Sequence, residues 1–149
     1  MRRPAGLVLV LVAASLAFGA AGVSVDSLRA MERNFNKRIE RFSIDDPIFL
    51  LSSTQGAYLQ GWGALFTAEV NLVPVAISPF RPSLSPEEIE RLHAKKKSRL
   101  DVIESHMREM LTDAGASLDT VPAGEKVGLA VNLFYFQWEK KEGLPNQIL

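Results

Sequence analysis

The stretch Gln55–Val75, QGAYLQGWGALFTAEVNLVPV, decides how the rest of the chain is read. It predicts a β-hairpin. A short strand, Ala57 to Gln60, runs into Gly61-Trp62-Gly63, and a longer strand, Ala64 to Val73, stops before Pro74. The two glycines supply the positive backbone angles that a tight connection between strands requires. On the second strand Phe66, Ala68, Val70 and Leu72 alternate with Thr67, Glu69 and Asn71. A period of two marks a strand with one buried and one wet face.

Upstream, Ile48–Leu51 reads as a short buried strand, and Ser52–Gly56 as a polar loop. That Ser/Thr/Gly loop fits neither a P-loop nor a dinucleotide fingerprint, because no lysine follows at the required place. Further back, Leu28, Met31, Phe35, Ile39 and Phe42 step by 3, 4, 4 and 3, one stripe of a helix from Val25 to Phe42. Arg29, Arg33, Lys37, Arg38 and Arg41 lie off that stripe with Glu32 and Glu40. The expectation is an amphipathic helix packed on the core. The alternative is a basic helix lying on a membrane surface.

Downstream, Pro74, Pro79, Pro82 and Pro86 make an extended loop, with Phe80 expected to tuck into a groove of the domain. Ser85-Pro86-Glu87-Glu88 then opens a long helix, with a serine cap, proline at the first helical position and a capping box to Glu88. Gly115 is its expected stop. Lys96 is the one polar break in its apolar stripe, and Lys95–Arg99 is expected to be a solvated basic face. Val127–Trp138 reads as a central strand covered on both sides, in which Asn132 needs a hydrogen-bond partner. Glu139–Gly143 is a charged exit turn, and the last residues pair or fray. The expected fold class is α+β: a small mixed or antiparallel sheet of three to five strands, with the long helix and an N-terminal amphipathic helix packed on it.

Composition sets the function classes. With 47% hydrophobic and 23% charged residues, the chain has the make-up of one globular domain. Seventeen basic residues balance seventeen acidic ones, and without Arg2 and Arg3 the count is 15 against 17. That lacks the footprint of a nucleic-acid binder. With no cysteine there is no disulfide, thiolate metal site or cysteine nucleophile. Arg2-Arg3, the 14-residue apolar run Ala5–Phe18, and Gly19-Ala20-Ala21-Gly22 have the layout of a secretory signal peptide. Cleavage is expected after Gly19 or Gly22, so residues 1–22 are assigned to the signal and 23–149 to one domain. The expected location is the periplasm or outside the cell, the alternative being anchorage by an uncleaved N-terminal segment.

No catalytic constellation stands out. His93 and His106 are 13 apart on one helix, about 220° around its axis, so they share no ligand. Neither HExxH nor GxSxG occurs. No metal, cofactor or catalytic residue is expected. Glu69 is a candidate carboxylate for hydrolytic acid–base work if Asp45, Asp46 or Asp119 were brought beside it; otherwise it pairs with a basic residue across the sheet. Trp62 is a large aromatic at a hairpin tip, either folded back over the sheet or anchoring a partner. Tyr58 and Arg81 complete the candidate binding residues.

The segment Gly56–Val73, with Ser117–Val127 and Leu133–Phe136, resembles a group of exported bacterial proteins of no known activity. In these a similar Tyr-Leu-x-Gly-x-Gly-x-x-Phe pattern precedes a proline-rich loop, a long charged helix and a final aromatic strand. The resemblance implies export and bacterial origin, and no site residues. The resulting expectation is an exported, non-catalytic envelope domain that binds an envelope protein or a second copy of itself. It would take no nucleic acid, and would touch membrane only through the N-terminal segment or a weak surface contact. The alternatives are a periplasmic carboxylate-dependent hydrolase, and a small-ligand or lipid carrier with a cavity between long helix and sheet.

Overall fold

The computed structural model describes residues 22–42, 45–80, 84–118 and 121–149. The signal-peptide assignment over residues 1–21 and the candidate Arg81 lie outside the described residues.

The elements run α1 (Val25–Glu40), β1 (Phe49–Leu59), β2 (Gly63–Asn71), α2 (Pro86–Ser117), β3 (Lys126–Leu133) and β4 (Gln147–Ile148). The four strands form one sheet in the order β1-β2-β3-β4. β1 and β2 are the antiparallel hairpin. β2 and β3 are parallel, and α2 makes the crossover between them. β4 closes the far edge antiparallel to β3. The fold is therefore α+β around a mixed sheet.

Both helices serve one face of the sheet. Phe66, Ala68 and Val70 of β2 stand in register beside Leu129, Val131 and Leu133 of β3. All six are buried in a single cluster with Leu28, Met31, Phe35 and Ile39 of α1 and Ile103, Met107 and Met110 of α2. Phe35 meets the Phe66 ring edge-on, with centroids 5.0 Å apart. Burying one such ring stabilises the fold by about 1.5–3 kcal/mol, and the edge-on pair adds to that.

Local capping follows the sequence. Ser24 Oγ accepts from the Ser27 N–H at 3.0 Å at the start of α1. Ser85 Oγ accepts from the Glu88 N–H while Glu88 Oε2 accepts from the Ser85 N–H, closing the capping box of α2.

Several expectations are corrected. Ser52–Gly56 is not a loop: it lies inside the 11-residue β1, which absorbs two register shifts. The backbone there is held from the side by α1, whose Asn36 Oδ1 accepts from the Thr54 N–H at 2.8 Å and whose Glu32 Oε1 accepts from the Gly56 N–H at 2.7 Å. Gly115 does not end α2, which continues to Ser117. Phe80 fills no groove; it is 99% exposed. The strand expected to run to Trp138 is shorter: β3 ends at Leu133, and the Phe134 N–H makes the final bond across to β2, to the Val70 carbonyl at 2.9 Å. Its second face is not fully covered either: Asn132 is exposed and accepts from the Gln147 side chain at 2.8 Å.

Lys96 and Arg99 overturn the reading of a solvated basic face. Both are buried on the core stripe of α2. Arg99 donates to the carbonyls of Leu72 and Asp46 and pairs with the Asp46 carboxylate, tying the end of β2 to the approach to β1. Lys95 bonds the same carboxylate at 2.8 Å. These contacts hold the Asp46 carboxyl below its ordinary value of 3.8, the bond from Lys95 first and that from Arg99 second. A depressed carboxyl contributes stability that is present above its ordinary value and lost as pH falls through its folded one. The acid limb of a stability–pH curve is therefore expected to be shallower in Asp46→Asn than in the parent. Thermal melts near neutrality and below pH 4 (about the ordinary carboxylate value) check this; parallel curves would contradict it.

Candidate functional site

The hairpin turn places Trp62. Its N–H donates to the Leu59 carbonyl at 3.0 Å, and its own carbonyl accepts from the Lys126 N–H at 2.8 Å. The indole then folds back over the sheet face that carries no helix. A Cβ built on Gly128 would meet the indole at 3.0 Å and Leu65 at 3.3 Å. The ring thus lies across β2 onto β3, over a glycine with no side chain to hold it off. Trp62 remains 39% exposed.

The register defines the rest of that face. Leu65 pairs Ala57 and Gly128; Thr67 pairs Gln55 and Ala130; Glu69 pairs Ser52 and Asn132. Phe49, opposite Asn71, and Leu59, opposite Gly63, belong to the same side and are 51% and 47% exposed. The open face is therefore polar along its middle and apolar at both ends of β1.

Glu69 pairs with no basic residue across the sheet, contrary to expectation. Its cross-strand neighbours are Ser52 and Asn132, and it makes no ion pair with any described residue. Of its proposed mates, Asp46 is engaged by Lys95 and Arg99, and Asp119 lies outside the described residues. Among the described residues no group of three His, Cys, Asp or Glu side chains is placed to hold a metal ion.

Tyr58 is on the opposite side from Trp62. It pairs with Ala64 on the helix-covered side, and its ring lies 3.1 Å from where a Cβ on Gly22 would stand. Interaction with the Glu125 carboxylate first, and burial second, raise its hydroxyl above the ordinary tyrosine value. Glu125 Oε1 also accepts from the Gly61 N–H at 2.9 Å, so this corner stiffens the turn that presents Trp62. Of the predicted site residues, the fold puts Trp62 and Glu69 on one face, Tyr58 on the other, and gathers no single pocket from them.

Two features escaped the sequence reading. One is the buried ion pair of Lys96 and Glu139, 2.6 Å apart. The Lys96 ammonium also donates to the Phe134 carbonyl at 3.2 Å and stands 4.8 Å from the Tyr135 ring centroid. Burial lowers the Lys96 value, with Glu139 opposing. The break at Lys96 in an otherwise apolar stripe was its visible signal. The other feature is an open groove of about 500 Å3 lined by Ala30, Arg33, Asn34, Lys37 and Arg38 of α1, by Arg41 at its C-cap and by His106 of α2.

No protein family, curated protein or solved structure matches the chain. Among the described residues no helix is long and apolar enough to cross a membrane.

Proposed function

We propose that this chain is an exported, non-catalytic domain of the bacterial envelope that binds an envelope protein, or a second copy of itself, through the open face of its sheet. Support for this reading comes from the apolar rim of a face that neither helix packs on: Trp62, Phe49 and Leu59, each more than a third exposed. Aromatic anchors with a polar surround suit a protein interface. The edge of β1 is a poorer docking place, since α1 already occupies its Thr54 and Gly56 N–H groups. The signal-like N-terminus and the resemblance to exported bacterial proteins support the envelope setting.

Native mass spectrometry of the chain taken from its own envelope tests this reading. A bound partner chain or a homo-oligomer is expected. Trp62→Ala is expected to weaken that complex by about 2 kcal/mol, roughly 30-fold in affinity, while circular dichroism shows the fold retained. A bare monomer, or a complex indifferent to Trp62→Ala, overturns it.

A further inference from the structure

We infer that the α1 groove is a docking surface for anionic phospholipid head groups, by which this domain lies against a membrane. The argument begins with spacing. Arg33, Lys37 and Arg41 follow one another by four residues, so they form a line about 12 Å long on one side of α1. None of the three forms an ion pair with a described residue. Arg38, beside them, is held by Asp113 of α2. His106 closes the far wall, edge-on to Phe42 at 4.9 Å and 3.7 Å from the Glu109 carboxylate.

The second observation is what adjoins this line. His106 is shared with a neighbouring depression of about 320 Å3, lined otherwise by Phe42, Val102 and the paired Asp46 and Arg99, whose charges offset each other. Val102 is 50% exposed. A row of cations next to a dent that offers the apolar Phe42 and Val102 side chains matches the profile of a bilayer surface, phosphates outermost and glycerol and acyl carbons beneath. A nucleic-acid backbone offers phosphate without that apolar layer, and the domain beyond Arg3 carries more acidic than basic groups. The groove is open, so it suits a plane of head groups better than a single enclosed phosphate. In the sequence, the apolar run that ends at Phe18 stands seven residues ahead of the first residue of α1.

The test is partitioning of the full chain onto phosphatidylcholine vesicles with and without phosphatidylglycerol. The apolar N-terminal run contributes to both, so the quantity read is the ratio of the two partition coefficients. The ratio is expected to be large, and to fall on the order of a hundredfold when Arg33, Lys37 and Arg41 are all replaced by Gln, since each cation near an anionic surface is worth about fivefold. It is also expected to fall with added salt. Replacing Arg91, Lys97 and Lys126, three exposed cations away from the groove, is expected to change it little. A ratio near one, or an equal loss from the distant triple variant, overturns the proposal. So does displacement by soluble glycerol phosphate at matched phosphate concentration, which would make the groove a site for a free phosphate. Circular dichroism of both triple variants shows that the fold is kept, as all six side chains are surface cations.

Discussion

Gly63→Ala is expected to abolish folding. Gly63 has a φ of +129°, a conformation that an L side chain rarely adopts. Strain of this kind costs on the order of 1–3 kcal/mol. The larger penalty is the clash. A Cβ at this position would stand 1.9 Å from the Lys126 carbonyl oxygen and 2.6 Å from its nitrogen. Both atoms are backbone, so no rotamer change relieves the contact. Relief requires β2 and β3 to part at the point where their parallel pairing begins, at Gly63 opposite Lys126. That pairing is non-local, and α2 must be ordered to make it. The combined cost is expected to exceed about 4 kcal/mol, most of the total stability of a small domain.

Gly61 supplies the contrast. It also has positive φ, +80°, but a Cβ there would meet nothing within 4 Å. Gly61→Ala is expected to cost only about 1–2 kcal/mol, the ordinary price of a left-handed alanine. Circular dichroism and urea titration separate the two variants. A Gly63→Ala protein with a midpoint near that of Gly61→Ala would show that the β2–β3 junction tolerates displacement.

The second large effect is at the Lys96–Glu139 pair. Removing one member of a buried pair leaves the other charge without its partner, and typically costs 3–5 kcal/mol, to order of magnitude about the same here. Glu139→Gln is therefore expected to be strongly destabilised. The amide oxygen of the variant still accepts from the Phe136 N–H, as Glu139 Oε1 does at 3.0 Å, and its NH2 then faces the Lys96 ammonium donor against donor. The double variant Lys96→Met, Glu139→Gln is expected to recover much of the loss, since it leaves no buried charge.

The pH dependence of the single variant has a definite sign. Burial lowers the Lys96 value, and Glu139, the main opposing influence, is gone in Glu139→Gln. Between the lowered folded value and the ordinary 10.5, the unfolded state binds more protons. Stability of Glu139→Gln should therefore rise with pH through that window, and the double variant should show no such rise. Tyr135 sets the upper limit of the measurement. Burial first, and the Glu139 charge second, push its hydroxyl from 10 to about 12, so stability in the parent falls as pH rises across that range. Urea unfolding of the three proteins, read below the ordinary tyrosine value, isolates the lysine. A Glu139→Gln variant within about 1 kcal/mol of the parent would show that the pair is dispensable.

The open sheet face and the α1 groove lie on different elements, so they can be altered separately. Trp62→Ala touches the first and leaves the cations of α1 in place. The triple Gln variant of α1 touches the second and leaves the hairpin turn in place. A protein partner and a membrane surface are thus separable readouts of one fold.

Much of this architecture was legible before any coordinates. The stripe of α1, the capping box of α2, the Gly-Trp-Gly turn and the alternation along β2 are local patterns, set by backbone geometry and by side chains a few residues apart. They determined the two helices, the hairpin and the α+β class. The character of β1 was not local. Ser52–Gly56 has the composition of a loop, and it is strand because it pairs with β2 on one side while Asn36 and Glu32, on a helix packed beside it, take up the Thr54 and Gly56 N–H groups. Lys96 and Arg99 are likewise ordinary surface residues by composition. Only the fold brings Glu139, Leu72 and Asp46 to them, and so makes a basic cluster part of the core. Glu69 lacks a basic partner because register, which sequence spacing does not specify between distant strands, sets Ser52 and Asn132 beside it. Local sequence determined the elements; tertiary packing decided which charges are buried and which remain on the surface, because burial depends on neighbours far away in the chain.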